Sequence, residues 1–187
     1  EIKQLDDGIY ISQNSYIKQT LEKYKEWVEP KTERKIPLVA NFQELLIQAE
    51  QSTKVEENFP FRQIVGSLMY ATTMTRPDIA TAVGVVCSFL ENPKEIHCNM
   101  VRQILYYLRG TSNYSICYSK TNKEEIQGYV DASWANCEDY TSIYGYGFLF
   151  GNSIVSWCSK KQKTVALSST EAEYMTITHG AQEALWF

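Results

Sequence analysis

The chain has 187 residues, 44% hydrophobic and 21% charged, which excludes a disordered tract and allows one sizeable domain or two small ones. No apolar run approaches the roughly 18 residues of a membrane span, and no basic segment precedes an apolar one as in a signal peptide. A net charge of −4 argues against a dedicated nucleic-acid-binding protein, whose surface is usually basic, but it leaves room for an acidic site that takes divalent cations.

In chain order, Ile2–Ser12 reads as a hairpin with Asp7-Gly8 as its two-residue turn. Ser12 or Ser15 can cap a helix to about Tyr24, with Tyr16, Ile17, Leu21 and Tyr24 on one face. Residues 29–58 are polar and loop-like, with a short helix expected around Phe42–Gln48. Phe61–Thr73 carries Ile64, Val65, Leu68 and Met69 at helical spacing. Pro77 fits the first turn of a second helix to about Leu90, and Pro93 the start of a third. Met100, Ile104, Tyr107 and Leu108 repeat along that third helix, and Gly110 is its expected stop.

Strand signals follow at Tyr114–Ser119, Ile126–Ser133, Tyr144–Phe150 and Ser153–Ser159. Gly151-Asn152 joins the last two, and Gly in first place predicts a type II′ turn. A helix runs from about Thr170 to the end. The expected fold is α+β or α/β: a largely helical part to residue 120, then 121–187 as three antiparallel strands and one helix. The chain stops at Trp186-Phe187 inside a helical pattern and reads as a piece of something longer. Five scattered cysteines, never spaced C-x-x-C, fit reduced intracellular thiols better than disulfides or a zinc site.

Few residues stand out as chemical. Strand alternation puts Tyr129, Asp131 and Ser133 on one face, and Asp is disfavoured in mid-strand. Asp131 is then either a solvated carboxylate or one held by a cation. Ser168-Ser169-Thr170-Glu171 and Thr170-Glu171-Ala172-Glu173 both have the form of a capping box, so each glutamate can close the helix start. The functional alternative turns one of them toward Asp131, where two carboxylates favour a divalent cation. Lys160, Lys161 and Lys163 suit either a solvated loop or phosphate contact. His97-Cys98 is a poor metal pair, because adjacent helical residues point apart. His179 reads as structural or surface. Arg76-Pro77-Asp78 reads mainly as a helix start, with Arg76 a weaker candidate for nucleic-acid contact.

Two stretches carry a family resemblance. Phe61–Tyr70 with Thr75–Ala80 and Leu105–Thr111 resembles the segment after the polymerase palm in copia-type LTR-retrotransposon Pol polyproteins. Asp131-Ala132-Ser133-Trp134, Ser156–Gln162 and Ser168–Tyr174 together resemble the opening of that family's ribonuclease H. The resemblance implies residues 1–120 as the end of the reverse transcriptase (palm end and thumb or connection-like region) and 121–187 as a truncated ribonuclease H-like domain. It implies RNA-directed DNA synthesis and cleavage of the RNA strand of RNA–DNA hybrids by carboxylates that bind two magnesium or manganese ions. On motif position Asp131 matches the first catalytic and metal-binding carboxylate and Glu173 the second, with Glu171 left to cap the helix.

The implied partners are the hybrid and the rest of the polyprotein, and the implied location is a cytoplasmic virus-like particle. The later carboxylates are expected downstream and the polymerase's paired aspartates upstream, so the chain alone is expected to be inactive. Tyr140–Tyr146 also lacks the basic residues the family pattern leads one to expect there. The alternative is a non-catalytic relic or domesticated module that binds nucleic acid or protein.

Overall fold

A computed structural model describes residues 1–44, 58–120, 125–137 and 139–187. It is mixed α and β, and the chain divides into two compact units. One comprises Glu1 and Ile11–Ser115, the other Ile2–Tyr10 and Ile116–Phe187. The sequence reading groups Ile2–Tyr10 with the helices, whereas the structure places that hairpin with the later strands.

In the first unit, α1 spans Asn14–Lys23. Neither Ser12 nor Ser15 caps it. Gln13 holds the N-cap position without a side-chain bond, and the Glu1 carboxylate accepts from the Ser15 N–H at 2.7 Å. An acidic acceptor there serves an orphan N–H and suits the helix dipole. A 3₁₀ turn, Lys25–Trp27, follows. Of the helix expected over Phe42–Gln48, residues 42–44 are helical and the remainder lies outside the described residues.

Helix α2, Phe61–Met74, buries Phe61, Ile64, Val65, Leu68 and Ala71 at helical spacing. Met69 falls off that stripe and is exposed. The helix expected from Pro77 starts as a 3₁₀ turn, Pro77–Ile79, and continues as α3, Ala80–Cys87. Helix α4, Glu95–Gly110, buries Met100, Ile104, Tyr107 and Leu108. Gly110 is its last residue, not its stop. Thr111 takes the C-cap position at φ −126°, and its hydroxyl donates to the Tyr107 carbonyl at 2.8 Å.

In the second unit, β1 (Ile2–Gln4), β2 (Gly8–Ser12) and β3 (Ser115–Ser119) form a sheet in the order β1-β2-β3. The hairpin turn is Asp6-Asp7 and not Asp7-Gly8, because Leu5 and Gly8 exchange N–H···O bonds of 2.9 and 3.3 Å and close the pair. Gly8 is needed for close approach: a Cβ there would lie 2.5 Å from the Tyr118 carbonyl oxygen of β3.

The second sheet is antiparallel in the order β4-β5-β6, with β4 at Ile126–Ser133, β5 at Ile143–Phe150 and β6 at Ser153–Lys161. Gly151 and Asn152 both have positive φ, 54° and 67°, which marks a type I′ turn and not II′. Asn tolerates the left-handed region, so both central positions adopt it. Helix α5, Ser169–Trp186, packs on this sheet. Gly180 admits Val130 of β4, and His179 stacks on Tyr144 of β5 with ring centroids 4.5 Å apart. All five cysteines are free thiols. Among the described residues, no helix is long and apolar enough to cross a membrane.

Candidate functional site: carboxylates on β4 and α5

Strand β4 is the end strand of its sheet, and Asp131 pairs with Gly145 of β5. Val130 meets Gly180, so alternation turns Asp131 to the face away from α5, where it is exposed. Glu173 lies one turn into α5 and is half-buried. Its Oε1 accepts from the Ala132 N–H at 3.4 Å. An end strand leaves such N–H groups over, and Glu173 takes one beside Asp131. The sequence motif thus brings Glu173 to the backbone of the residue after Asp131, not into a direct bond with its carboxylate.

The two glutamates at the start of α5 separate in role. Ser168 is the N-cap, and its hydroxyl accepts from the Glu171 N–H at 3.2 Å. The Glu171 carboxylate reaches back to the Leu167 N–H at 2.6 Å. That is a capping box displaced by one residue, and it occupies Glu171 outside the Asp131 neighbourhood.

The basic candidates also diverge. Lys160, Lys161 and Lys163 are exposed at the end of β6 and just beyond it. The Lys161 ammonium lies 2.9 Å from the Asp139 carboxylate. Asp139 is held down to about 2, first by the Thr141 hydroxyl and then by Lys161. Arg76 is corrected as a nucleic-acid contact. It is 1% exposed, its guanidinium bonds Asp78 at 2.7 Å, and it donates to the Thr111 carbonyl and hydroxyl at 3.1 and 2.6 Å. Tyr107 completes this network by donating to Asp78 at 2.7 Å, and burial pushes its phenol up to about 12. A buried guanidinium with those partners holds α4 to the 3₁₀ turn and presents no donor to a phosphate.

Gln162, which closes the Ser156–Gln162 motif, is a structural centre. It is 4% exposed, and its Nε2 donates to the Ala172 carbonyl at 3.0 Å and to the Thr176 hydroxyl at 3.4 Å. Its backbone N–H donates to the Ser142 carbonyl at 2.8 Å. Trp134 Nε1 donates to the Ala166 carbonyl at 3.0 Å, and Ser142 Oγ accepts from the Ala135 N–H at 3.1 Å. Polar anchors of this kind have no periodicity, so the only signal was an uncharged amide breaking the run of lysines.

Farther along α5, Glu183 accepts from Ser156 at 2.6 Å and from Tyr146 at 3.4 Å. Burial pushes Tyr146 up to about 12 and raises the Cys158 thiol, against the pull of Lys160. Among the described residues, no group of three or more His, Cys, Asp or Glu is placed to hold a metal ion. Asp131, on the face of β4 away from α5, and Glu173, bonded to the Ala132 N–H, thus lie near one strand position without forming such a group.

Comparison with known proteins agrees with the motifs. The retrovirus-related Pol polyprotein from transposon TNT 1-94 of Nicotiana tabacum is 41% identical over 184 residues, 95% of this chain. The retrovirus-related Pol polyprotein from transposon RE1 of Arabidopsis thaliana is 37% identical over 188 residues, 100% of this chain. The chain spans 14% and 12% of the lengths of those two proteins. Secreted RxLR effector protein 161 of Plasmopara viticola is 43% identical over 131 residues, 70% of this chain and 92% of that protein. No protein-family model and no solved structure matches the chain. Similarity that runs through both compact units, at this identity, means that the chain belongs to the retrovirus-related Pol polyproteins of copia-type transposons.

Proposed function

We propose that residues 121–187 are the opening of a ribonuclease H-like domain and that residues 1–120 are the end of the reverse transcriptase. In this reading Asp131 and Glu173 are two of the carboxylates that hold magnesium or manganese for hydrolysis of the RNA strand of an RNA–DNA hybrid. The bond from the Ala132 N–H to Glu173 carries it, since it brings the second motif carboxylate to the strand that bears the first. The antiparallel order β4-β5-β6 followed by α5 is the arrangement the resemblance implies for this part of such a domain.

When bound, the metal ions supply activation of water and stabilisation of the leaving oxygen. The residues of this chain contribute charge and position. Asp131 offers an exposed carboxylate from a paired strand, and Glu173 accepts from the Ala132 N–H. Lys160 and Lys163 are exposed cations that suit the backbone of a hybrid. Two carboxylates do not complete a two-ion centre, so this reading expects the chain alone to be inactive.

The test is incubation of the purified chain, and of the full polyprotein with and without Asp131→Asn, with RNA–DNA hybrid and magnesium or manganese. The reading expects cleavage by the polyprotein only, reduced at least a hundredfold by Asp131→Asn. Undiminished cleavage by the Asp131→Asn polyprotein would sink it.

A second reading, a non-catalytic module that binds nucleic acid or protein, is favoured by one observation. The effector relative is covered to 92% by this chain, so much the same segment makes up almost the whole of a short protein. Salt-dependent hybrid binding that ignores both Asp131→Asn and Glu173→Gln is the outcome that would select it.

A further inference from the structure

We infer that Gln162 is a positioning residue for Glu173: its side-chain amide clamps the first turns of α5 so that the Glu173 carboxylate stays on the Ala132 N–H beside Asp131. The functional weight of this inference rests on the carboxylate reading above, but its geometry does not.

Glu173 is bonded to β4 only through one long hydrogen bond of 3.4 Å, which a small roll or slide of the helix would break. Something else must hold the helix in register at that turn. Gly180 and Val130 meet two turns farther on, and Glu183 bonds Ser156 farther still, so neither fixes the first turns.

Gln162 does. Its Nε2 donates to the carbonyl of Ala172, the residue before Glu173, and to the hydroxyl of Thr176, which itself donates to the Ala172 carbonyl at 2.9 Å. Gln162, Ala172 and Thr176 are all buried. The glutamine is itself held, because its backbone N–H donates to the carbonyl of Ser142, which is fully buried beside β5. Two hydrogen bonds, one from each end of Gln162, thus link Ser142 to the peptide next to Glu173.

The other end of the amide supports a positioning role over a purely stabilising one. Gln162 Oε1 is buried with no hydrogen-bond partner. A buried acceptor left unsatisfied costs stability, so an apolar side chain of the same length would serve packing alone at least as well. What the amide provides and such a side chain lacks is the donor to α5.

The experiment is hydrogen–deuterium exchange of the Ala132 amide in the whole chain at neutral pH, followed by NMR. In the wild type the bond to Glu173 protects this amide, and Glu173→Ala abolishes that protection. Gln162→Met keeps side-chain length and removes both the donor and the orphaned acceptor. It is expected to leave the urea unfolding midpoint near that of the wild type while cutting the Ala132 protection at least threefold. Unchanged protection in Gln162→Met overturns the inference, and so does a wild-type amide whose exchange does not depend on Glu173. If Gln162→Met fails to fold, Thr176→Val, which removes one of the two acceptors, carries the same reading with a partial loss of protection.

A parallel arm with manganese alone separates this inference from the metal-site reading. Manganese broadening of the Ala132 resonance is expected in the wild type, with the half-maximal concentration raised at least fivefold in Gln162→Met. Absence of broadening in the wild type defeats the metal-site reading and leaves the metal-free exchange to judge the clamp. Broadening that is identical in both proteins defeats the clamp and leaves the metal site standing.

Discussion

At the scale of single residues, the side chains that matter are set by their hydrogen bonds more than by their type. His97 shows this most clearly. It is 2% exposed, stacks on Phe89 at 3.8 Å, and its Nδ1 accepts from the Lys94 N–H at 2.9 Å. Burial first, and the Lys94 charge second, lower its pKa to about 4. The folded chain therefore keeps the imidazole neutral where the unfolded chain takes up a proton. Its contribution is complete above the unfolded value near 6.5 and is lost as pH falls toward 4. Urea unfolding is expected to show a decline on the order of 2–3 kcal/mol over that window, and His97→Gln should flatten it. Ser168 and Glu171 give a second residue-scale expectation: Ser168→Ala removes the helix cap at a cost of about 1 kcal/mol, read from the denaturation midpoint.

At the scale of elements, Gly8 and Gly180 act through space and not through turn conformation. A Cβ on Gly8 would sit 2.5 Å from a backbone oxygen of β3, and backbone cannot swing aside as a side chain can. Gly8→Ala is expected to cost roughly 1–3 kcal/mol, seen as a lower Tm. At Gly180 the obstacle is the Val130 side chain, so Gly180→Ala combined with Val130→Ala should recover most of the loss of Gly180→Ala alone. The boundaries of the later strands and of α5 were legible, because alternation and the Ser168 cap are local signals. The hairpin turn and the Gly110 stop were not. Local turn chemistry nominated Asp7-Gly8 and Gly110, but a partner strand and the Thr111 hydroxyl set the outcome.

At the scale of the whole molecule, the end strand and the last helix leave apolar surface uncovered. Tyr129 is 61% exposed and Leu185 88%, with Tyr174, Ile177 and Trp186 also exposed. Together with the outer edge of β4, such a surface favours association between chains. The purified chain is expected to show concentration-dependent self-association by sedimentation, weakened by Leu185→Lys with Trp186→Lys. Sedimentation as a monomer at all concentrations would contradict it.

Family membership was determined by the sequence alone, because motif order and spacing survive without any coordinates: Asp131-Ala132-Ser133-Trp134, then Ser156–Gln162, then Ser168–Tyr174. The sequence also singled out Asp131 and Glu173 and left Glu171 to the cap, but it kept a solvated face and a helix start as live alternatives for the first two. Only the tertiary structure decided that Glu173 meets the edge of β4 beside Asp131, that Arg76 is buried among Asp78, Tyr107 and Thr111, and that the Gln162 amide donates to the Ala172 carbonyl of the last helix. The physical reason is range. Periodicity and caps are fixed by neighbours a few residues apart, whereas the bonds from Ala132 to Glu173, Arg76 to Thr111 and Gln162 to Ala172 join residues 41, 35 and 10 apart, and no local pattern encodes such partners.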